Sequence, residues 1–458
     1  MRLGMGQRML LIAFVLLGVH VPLEGSVAEA AGQRKAEWTV MVFMNAKNNL
    51  EPDAITNFEE MASVGSTANL NILVQMGRPK VHETVEAGNW AGVLRFRVTK
   101  GQEPVPADAA MDLRGGPAIL SDLGSREAFQ DFVEWSIRTY PARRYMLIIW
   151  NHGQGWRFQT AKSFAVNNAA PESAISATEL AVTRPATPSV GGFKAVSFDA
   201  DTGHYLFNSD IQLVLEKVSK QLNAKIDVLG FDACLMSMIE TAYAFRNSVT
   251  LLIGSEELEP AAGWDYVPFL RLLAMKPTSK PLAVTEKIVA GYRARFGDSH
   301  TTTLSVVDQS KTEAAAVAIS KFAALMSQDL EAKKPKIGAL RGRMNAYGAA
   351  NGLNTSVDFV TFAEGYGKIA TRQSEKDAAL EASKAVREMV VSNYASAKAK
   401  RKLGSTGIAI YFPPTRKAFE EDIYHDGYLK GNDEHVVEFV KKERWADFIQ
   451  QYLSLANN

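Results

Sequence analysis

Two short segments carry the chemistry of this 458-residue chain. In Ile148-Ile149-Trp150-Asn151-His152-Gly153 an apolar run ends in an imidazole. In Val228-Leu229-Gly230-Phe231-Asp232-Ala233-Cys234 a similar run ends in the sole cysteine of the sequence. A thiol attacks a carbonyl as thiolate, so its ordinary pKa near ~8.5 must fall or a base must stand beside it. An imidazole can act as that base, and the same ring can protonate a leaving amine. Gly153 allows close backbone approach, and its N–H with that of Cys234 offers two donors to the oxyanion of a tetrahedral intermediate. Position alone puts Cys234 where a helix over Leu235 to Phe245 begins, whose dipole favours the anion. The default for a lone cysteine is a buried apolar filler. The pair therefore needs elements that bring it together.

Those elements are legible as alternation. Trp38 to Met44, Asn71 to Met76, Tyr145 to Trp150, Ile226 to Phe231 and Val249 to Gly254 are short apolar, β-prone runs bounded by turn residues. Val93 to Val98 alternates like a half-exposed strand. Helical spacing lies between them, including a helix capped by Ser125 with Phe129, Phe132, Val133 and Ile137 on one face, and another over Ile211 to Leu222. Strands alternating with helices, most of them apolar throughout, predict an α/β fold with a largely parallel sheet covered on both faces. Sites in such sheets gather at the carboxyl ends of strands, where His152 and Cys234 both fall. From about residue 280 the texture changes to Ala/Lys/Glu-rich helices over 311–332 and 374–399, with strands at Thr302 to Val307 and Thr406 to Phe412. An amphipathic helix through Trp445, Phe448 and Tyr452 follows.

Arg2 and Arg8, the apolar stretch Met9 to Val21 and the Ala28-Glu29-Ala30 site read as a secretory signal over residues 1–30. The apolar stretch falls short of the ~20 residues of a spanning helix. The expected product is exported, secreted or periplasmic, with no membrane association after signal removal. Its organisation is a core over 31–310 and a helix-rich region over 311–458 whose strands pack back on the core. Basic and acidic residues nearly cancel, 51 against 50, which gives no electrostatic case for nucleic acid. Residues 157–193, rich in Ala, Ser, Thr and Pro, form a long interruption between the two motifs and an accessible target for cleavage. No HExxH or paired Cys/His spacing supports a zinc enzyme. His204 is a candidate to line the cleft; His82, His300, His425 and His435 lie in polar surroundings and read as surface residues. The cluster Glu256, Glu257 and Glu259 reads equally as a solvated loop.

Asn151-His152-Gly153 after a strand and Asp232-Ala233-Cys234-Leu235-Met236 after another are joined by Asn48-Asn49-Leu50-Glu51. Ser255-Glu256-Glu257-Leu258-Glu259-Pro260, Gly263-Trp264-Asp265-Tyr266 and Gly407-Ile408-Ala409-Ile410-Tyr411-Phe412-Pro413 follow in order. Together with Trp38 to Met44 they make the chain resemble the clostripain family of cysteine peptidases over roughly residues 38–452. The resemblance implies the caspase–gingipain fold and an endopeptidase acting on protein or peptide substrates, with Cys234 as nucleophile and His152 as acid/base. It implies cleavage after Arg or Lys, which needs a carboxylate at the pocket floor. Asp232 is the first choice, with Asp265 and Glu257 behind it. A carboxylate so near the thiol opposes the thiolate unless it points away. The resemblance also implies self-cleavage between histidine and cysteine, at Lys162 or Lys194 rather than at Arg184, which Pro185 follows. No cofactor is needed for the chemistry, and calcium enters only as a structural or activating ion; no EF-hand loop is present. Lys47 stands where relatives often carry an acid, and Pro260-Ala261-Ala262-Gly263 lacks an early glycine. Both departures bear on the pocket rather than the pair. The competing readings are a peptidase of non-basic specificity and a silent member acting as a binding or scaffold protein.

Overall fold

The apolar runs become strands because their β-branched and aromatic residues are buried on both sides. A computed structural model describes residues 35–158, 197–352, 354–422, 424–430 and 437–455. The strands are β1 (Ala36–Asn45), β2 (Leu70–Arg78), β3 (Gly92–Arg97), β4 (Met111–Asp112), β5 (Ala142–Trp150), β6 (Phe198–Asp199) and β7 (His204–Tyr205). They continue with β8 (Ile226–Asp232), β9 (Val249–Gly254), β10 (Thr303–Asp308), β11 (Ser356–Asp358), β12 (Val390–Ala395) and β13 (Ala409–Tyr411). Nine of them form one sheet in the order β12-β10-β9-β8-β5-β1-β2-β3-β4. The middle five, β2-β1-β5-β8-β9, run parallel. β3 and β4 extend one side antiparallel, and β10 and β12 the other.

Alternate side chains of each central strand enter different cores. Met41 and Phe43 of β1, Leu147 and Ile149 of β5, and Leu229 and Phe231 of β8 face one. Val40, Val42, Met146, Ile148, Trp150 and Val228 face the other. The first core is covered by the helices Arg126–Thr139, Asn208–Leu222, Ile239–Phe245 and the C-terminal helices. The second is covered by Glu51–Val64, Tyr266–Met275 and Pro281–Phe296. A strand buried on both faces can be apolar throughout, which is why these runs lack alternation. Ser125 caps its helix as expected, its hydroxyl accepting the Ala128 N–H at 3.1 Å.

Several expectations need correction. The helix after Cys234 begins only at Ile239. The stretch 311–332 is divided into Thr312–Ser327 and Leu330–Gly342, with Asp329 at φ 49° between them. The stretch 374–399 is a helix to Met389, then the edge strand β12, then the helix Ala397–Leu403. Helix-favouring Ala and Lys on either side hid the β-prone Val390-Val391 and Tyr394. β3 is buried rather than half-exposed. The strand expected over Thr406 to Phe412 shortens to β13, which pairs with β11 in a separate ladder.

Candidate active site

β5 and β8 are neighbours and run in register, with Met146 opposite Val228 and Trp150 opposite Asp232. His152 and Cys234 each lie two residues beyond that last pair, so the strands deliver both to one level of the sheet's carboxyl edge. The two loops are stitched together. The Asn151 N–H donates to the Asp232 carbonyl at 3.3 Å, and Asn151 Nδ2 to the Asn45 carbonyl at 2.6 Å. Asn151 Oδ1 accepts the His152 N–H. A Cβ on Gly153 would lie 2.4 Å from the Cys234 carbonyl oxygen and 3.1 Å from its nitrogen. Only glycine tolerates that contact, so the two backbones touch. Both side chains are largely covered, His152 at 7% exposure and Cys234 at 8%.

A third residue joins them. His152 Nε2 lies 3.0 Å from Asn49 Oδ1. A carboxamide oxygen only accepts, so this contact suits a ring that carries a proton on Nε2, as the neutral Nε2–H tautomer or the imidazolium does. Nothing in the Asn48-Asn49 motif itself assigns either residue a role. The usable signal is that Asn49 follows β1, which is β5's other neighbour. Asn48 serves the loop itself, donating from Nδ2 to the carbonyls of Asn45 and Phe198.

Cys234 stands in a turn, and the helix-dipole argument falls with that correction. Leu235 takes φ +63°, a left-handed conformation incompatible with starting a helix. The N–H groups of Leu235 and Ser237 instead bond the carbonyls of Glu257 and Ser255, at 3.2 and 2.8 Å. Met238 bridges to Ala409, the first residue of β13. The Glu259 N–H lies 3.3 Å from Sγ, and the Glu259 carbonyl oxygen 3.9 Å from it. A donor there favours the thiolate.

Below this turn Asp232 is buried within the loop that follows β9. Gly230, in mid-strand, admits the Trp264 indole, since a Cβ would lie 2.7 Å from the ring. The Trp264 N–H then reaches both Asp232 oxygens at 3.2 Å, and the Tyr266 hydroxyl donates at 2.8 Å. Gly263, at φ +60°, passes so near that a Cβ would be 2.8 Å from Asp232 Oδ1. Burial pushes the Asp232 carboxyl up to about 6, against the pull of the Tyr266 and Trp264 hydrogen bonds. Glu259 beside it is raised well above the carboxylate range, by burial first and then by the nearness of Asp232 and Cys234. Arg295 clasps the loop from outside, donating to the carbonyls of Ala262 and Trp264 at 2.9 Å and pairing with Glu60.

The other candidates are placed elsewhere. Asp265 caps the helix Tyr266–Met275, accepting the Val267 N–H at 3.1 Å. The acidic cluster is buried, contrary to the solvated-loop expectation, because residues 347–358 and 405–409 cover it. Glu256 accepts from the Tyr347 hydroxyl and the Gly407 N–H; Glu257 accepts from the amides of Leu258 and Gly348. His204 pairs with Asp122 and its side chain is 66% exposed. His82 is tucked against Glu51 at 2.8 Å rather than left at the surface. Lys47 is buried and pairs with Asp199 and Asp201 at 3.2 and 3.5 Å, fixing residues 197–205 on the end of β1. Lys162, Lys194, the signal segment and nearly all of 157–193 lie outside the described residues. Among the described residues no group of three or more His, Cys, Asp or Glu side chains is placed to hold a metal ion. None of their helices is long and apolar enough to cross a membrane.

Comparison with known proteins gives the family and the fold. The model of the Clostripain family matches residues 42–170 and 188–452. Clostripain of Hathewaya histolytica is 23% identical over 435 residues, covering 83% of this chain and 75% of that protein. An inactive zymogen C11 protease from Parabacteroides distasonis superposes with a TM-score of 0.57 at 16% identity, over 91% of this chain and 99% of that one. A secreted C11 cysteine protease from Bacteroides thetaiotaomicron, solved with an irreversible peptide inhibitor, gives 0.54 at 16% identity with the same coverage. At these identities the two structures establish a shared fold.

Proposed function

Because the chain belongs to the clostripain family and is a cysteine-type endopeptidase, we propose that it cleaves peptide bonds after arginine or lysine, with Cys234 as nucleophile and His152 as acid/base. The Cys234 thiolate adds to the scissile carbonyl, and the amides of Gly153 and Cys234 take the oxyanion. The imidazolium of His152 protonates the departing amine, and water then hydrolyses the acyl-enzyme with the same ring as base. Asn49 keeps the ring's orientation. Asp232, held by the Trp264 amide and the Tyr266 hydroxyl, provides negative charge for a basic P1 side chain.

The observation that carries this reading is the in-register pairing of β5 with β8, which brings one imidazole and one thiol to adjacent strand ends. Peptides carrying Arg, Lys, Asp or Asn before the bond test it. Cleavage confined to Arg and Lys, and abolished in Cys234→Ala, is the expected result. Equal background from wild type and variant on all four defeats it.

The same specificity turned on the chain itself gives processing between the two motifs, after Lys162 or Lys194. N-terminal sequencing of wild-type and Cys234→Ala protein decides its origin: a cut present in both excludes self-cleavage. Export follows from the reading of residues 1–30 as a signal, and cell fractionation with sequencing of the mature N-terminus checks it.

A further inference from the structure

Glu256 sits between the two residues whose carbonyls hold the cysteine turn. Ser255 accepts the Ser237 N–H at 2.8 Å, and Glu257 accepts the Leu235 N–H at 3.2 Å. The C-terminal region holds the same turn from the other side, where the Gly407 carbonyl accepts the Ser237 hydroxyl. Two carboxyls lie where these supports meet, and consecutive amides bring them together. The Gly407 N–H donates to Glu256 Oε2 at 3.1 Å, and the Thr406 N–H to Asp358 Oδ2 at 2.6 Å. Glu256 also accepts from the Tyr347 hydroxyl at 3.0 Å. Asp358 accepts from the Thr361 N–H at 2.7 Å and the Thr406 hydroxyl at 2.8 Å. All these donors are neutral, and among the described residues no lysine, arginine or histidine pairs with either acid. Glu256 is 1% exposed and Asp358 0%. The two carboxyls also hydrogen-bond each other. That bond requires a proton between them, because two carboxylates only accept.

We propose that Glu256 and Asp358 are positioning residues that latch the C-terminal region to the cysteine turn through one shared proton, and that loss of this proton opens the latch. This rests on the peptidase reading above and adds its regulation by pH. While the proton is held, the pair carries one negative charge among donors that all point inward. When it leaves to bulk water, two carboxylates face each other away from solvent with no cation between them. No covalent bond changes. The repulsion is relieved by parting residues 405–409 from residues 255–257, which slackens the turn that carries Cys234. Burial, and then the nearness of Asp358, hold the Glu256 carboxyl well above the usual carboxylate range. The folded protein therefore keeps a proton that the unfolded chain releases, so the latch is closed at low pH and opens as pH rises through that raised value. The other titratable or charged groups around the pair are Tyr347, Glu257 and, beyond Glu257, Lys402 on the helix Ala397–Leu403. Tyr347 is itself pushed up by burial and by these two acids, which keeps its hydroxyl a donor while the latch works.

The test compares the processed full-length enzyme with its Glu256→Gln variant, which copies the shape of the protonated acid, donates to Asp358 and cannot ionise. Both are assayed for kcat/KM between about pH 5 and 10 on a peptide with arginine before the bond. At the acid end, where the latch is closed in both, the two should agree within about 2-fold. On the alkaline side the variant loses one proton, that of His152, so log kcat/KM should fall by about one per pH unit. Wild type loses a second proton, and its limb should steepen to about two per unit. Limbs of equal slope overturn the latch and leave the peptidase reading standing. Cleavage by neither protein defeats the peptidase reading, and the latch is then decided by a measurement that needs neither activity nor a variant. That measurement is amide exchange of wild type across the same pH range, corrected for the intrinsic rise of exchange with pH. Amides of residues 235–237 and 405–409 should exchange roughly 10-fold faster than the correction allows once the latch is open, while those of β1 follow it. Segments that all follow the intrinsic dependence overturn the proposal.

Discussion

Asn49 holds His152 through a single, partly exposed hydrogen bond of 3.0 Å, so its contribution shows in orientation more than in stability. Asn49→Ala should lower kcat/KM by roughly 10-fold. Asn49→Asp sets a carboxylate beside the ring, which favours the imidazolium, and should move the alkaline limb of the pH–rate profile upward. An unmoved limb means the contact is absent in the working enzyme. Asp232 makes a different pH prediction. Its folded-state pKa of about 6 lies above the ~3.9 of an unfolded chain, so the folded protein holds a proton that the unfolded one releases. The resulting stability is complete below about pH 4 and is lost as pH rises through about 6. Asp232→Asn has no such titration. Over that window wild type should lose stability relative to the variant, on the order of 3 kcal/mol, measured as paired denaturant unfolding curves. Parallel curves would place the shift elsewhere. At this scale the sequence exposes a residue when a strand points to it, as with His152 and Cys234. Asn49 gains its place beside His152 from which strands become neighbours, and no spacing in the chain encodes that.

At the scale of elements, two glycines decide how closely the loops approach. Gly153→Ala drives a methyl group into the Cys234 carbonyl, so hydrolysis should fall by at least ~100-fold in a protein whose circular dichroism is unchanged. Activity near the wild-type level would mean the two turns can move apart. Gly263 combines φ +60° with contact against Asp232; Gly263→Ala should raise KM for basic peptides and cost about 1–2 kcal/mol. The central strands were legible because a parallel sheet covered on both faces asks for uninterrupted apolar runs. The apolar residues of the turn at 235–238 fit helix or extended chain equally, so the sequence alone suggests a helix there. Long-range bonds to Ser255, Glu257 and Ala409 chose the extended path. β12 was lost for a related reason: its edge position beside β10 rewards only a short β-prone run, flanked on both sides by good helix formers.

For the molecule as a whole, residues from Lys35 onward cluster as one compact unit, and the C-terminal region supports the cysteine turn directly. Ser237 Oγ donates to the Gly407 carbonyl at 2.7 Å, and the Ala409 N–H to the Ser237 carbonyl at 3.0 Å. Phe412, just beyond β13, packs its ring on Phe362, Trp445, Phe448 and Tyr452. Phe412→Ala should therefore cost about 3–5 kcal/mol and shorten the half-life of activity on warming; unfolding curves within 1 kcal/mol of wild type would contradict that support. The pairing of β5 with β8 has its own consequence once the chain is cut between them. His152 then belongs to one polypeptide and Cys234 to another, and a protein with a single cysteine has no disulfide to join them. The uncut chain refolds as a unimolecular event, whereas the nicked enzyme must first find its other half. Its recovery from denaturant should fall with dilution, as for an obligate heterodimer, while the recovery of uncut Cys234→Ala, followed by tryptophan fluorescence, should not.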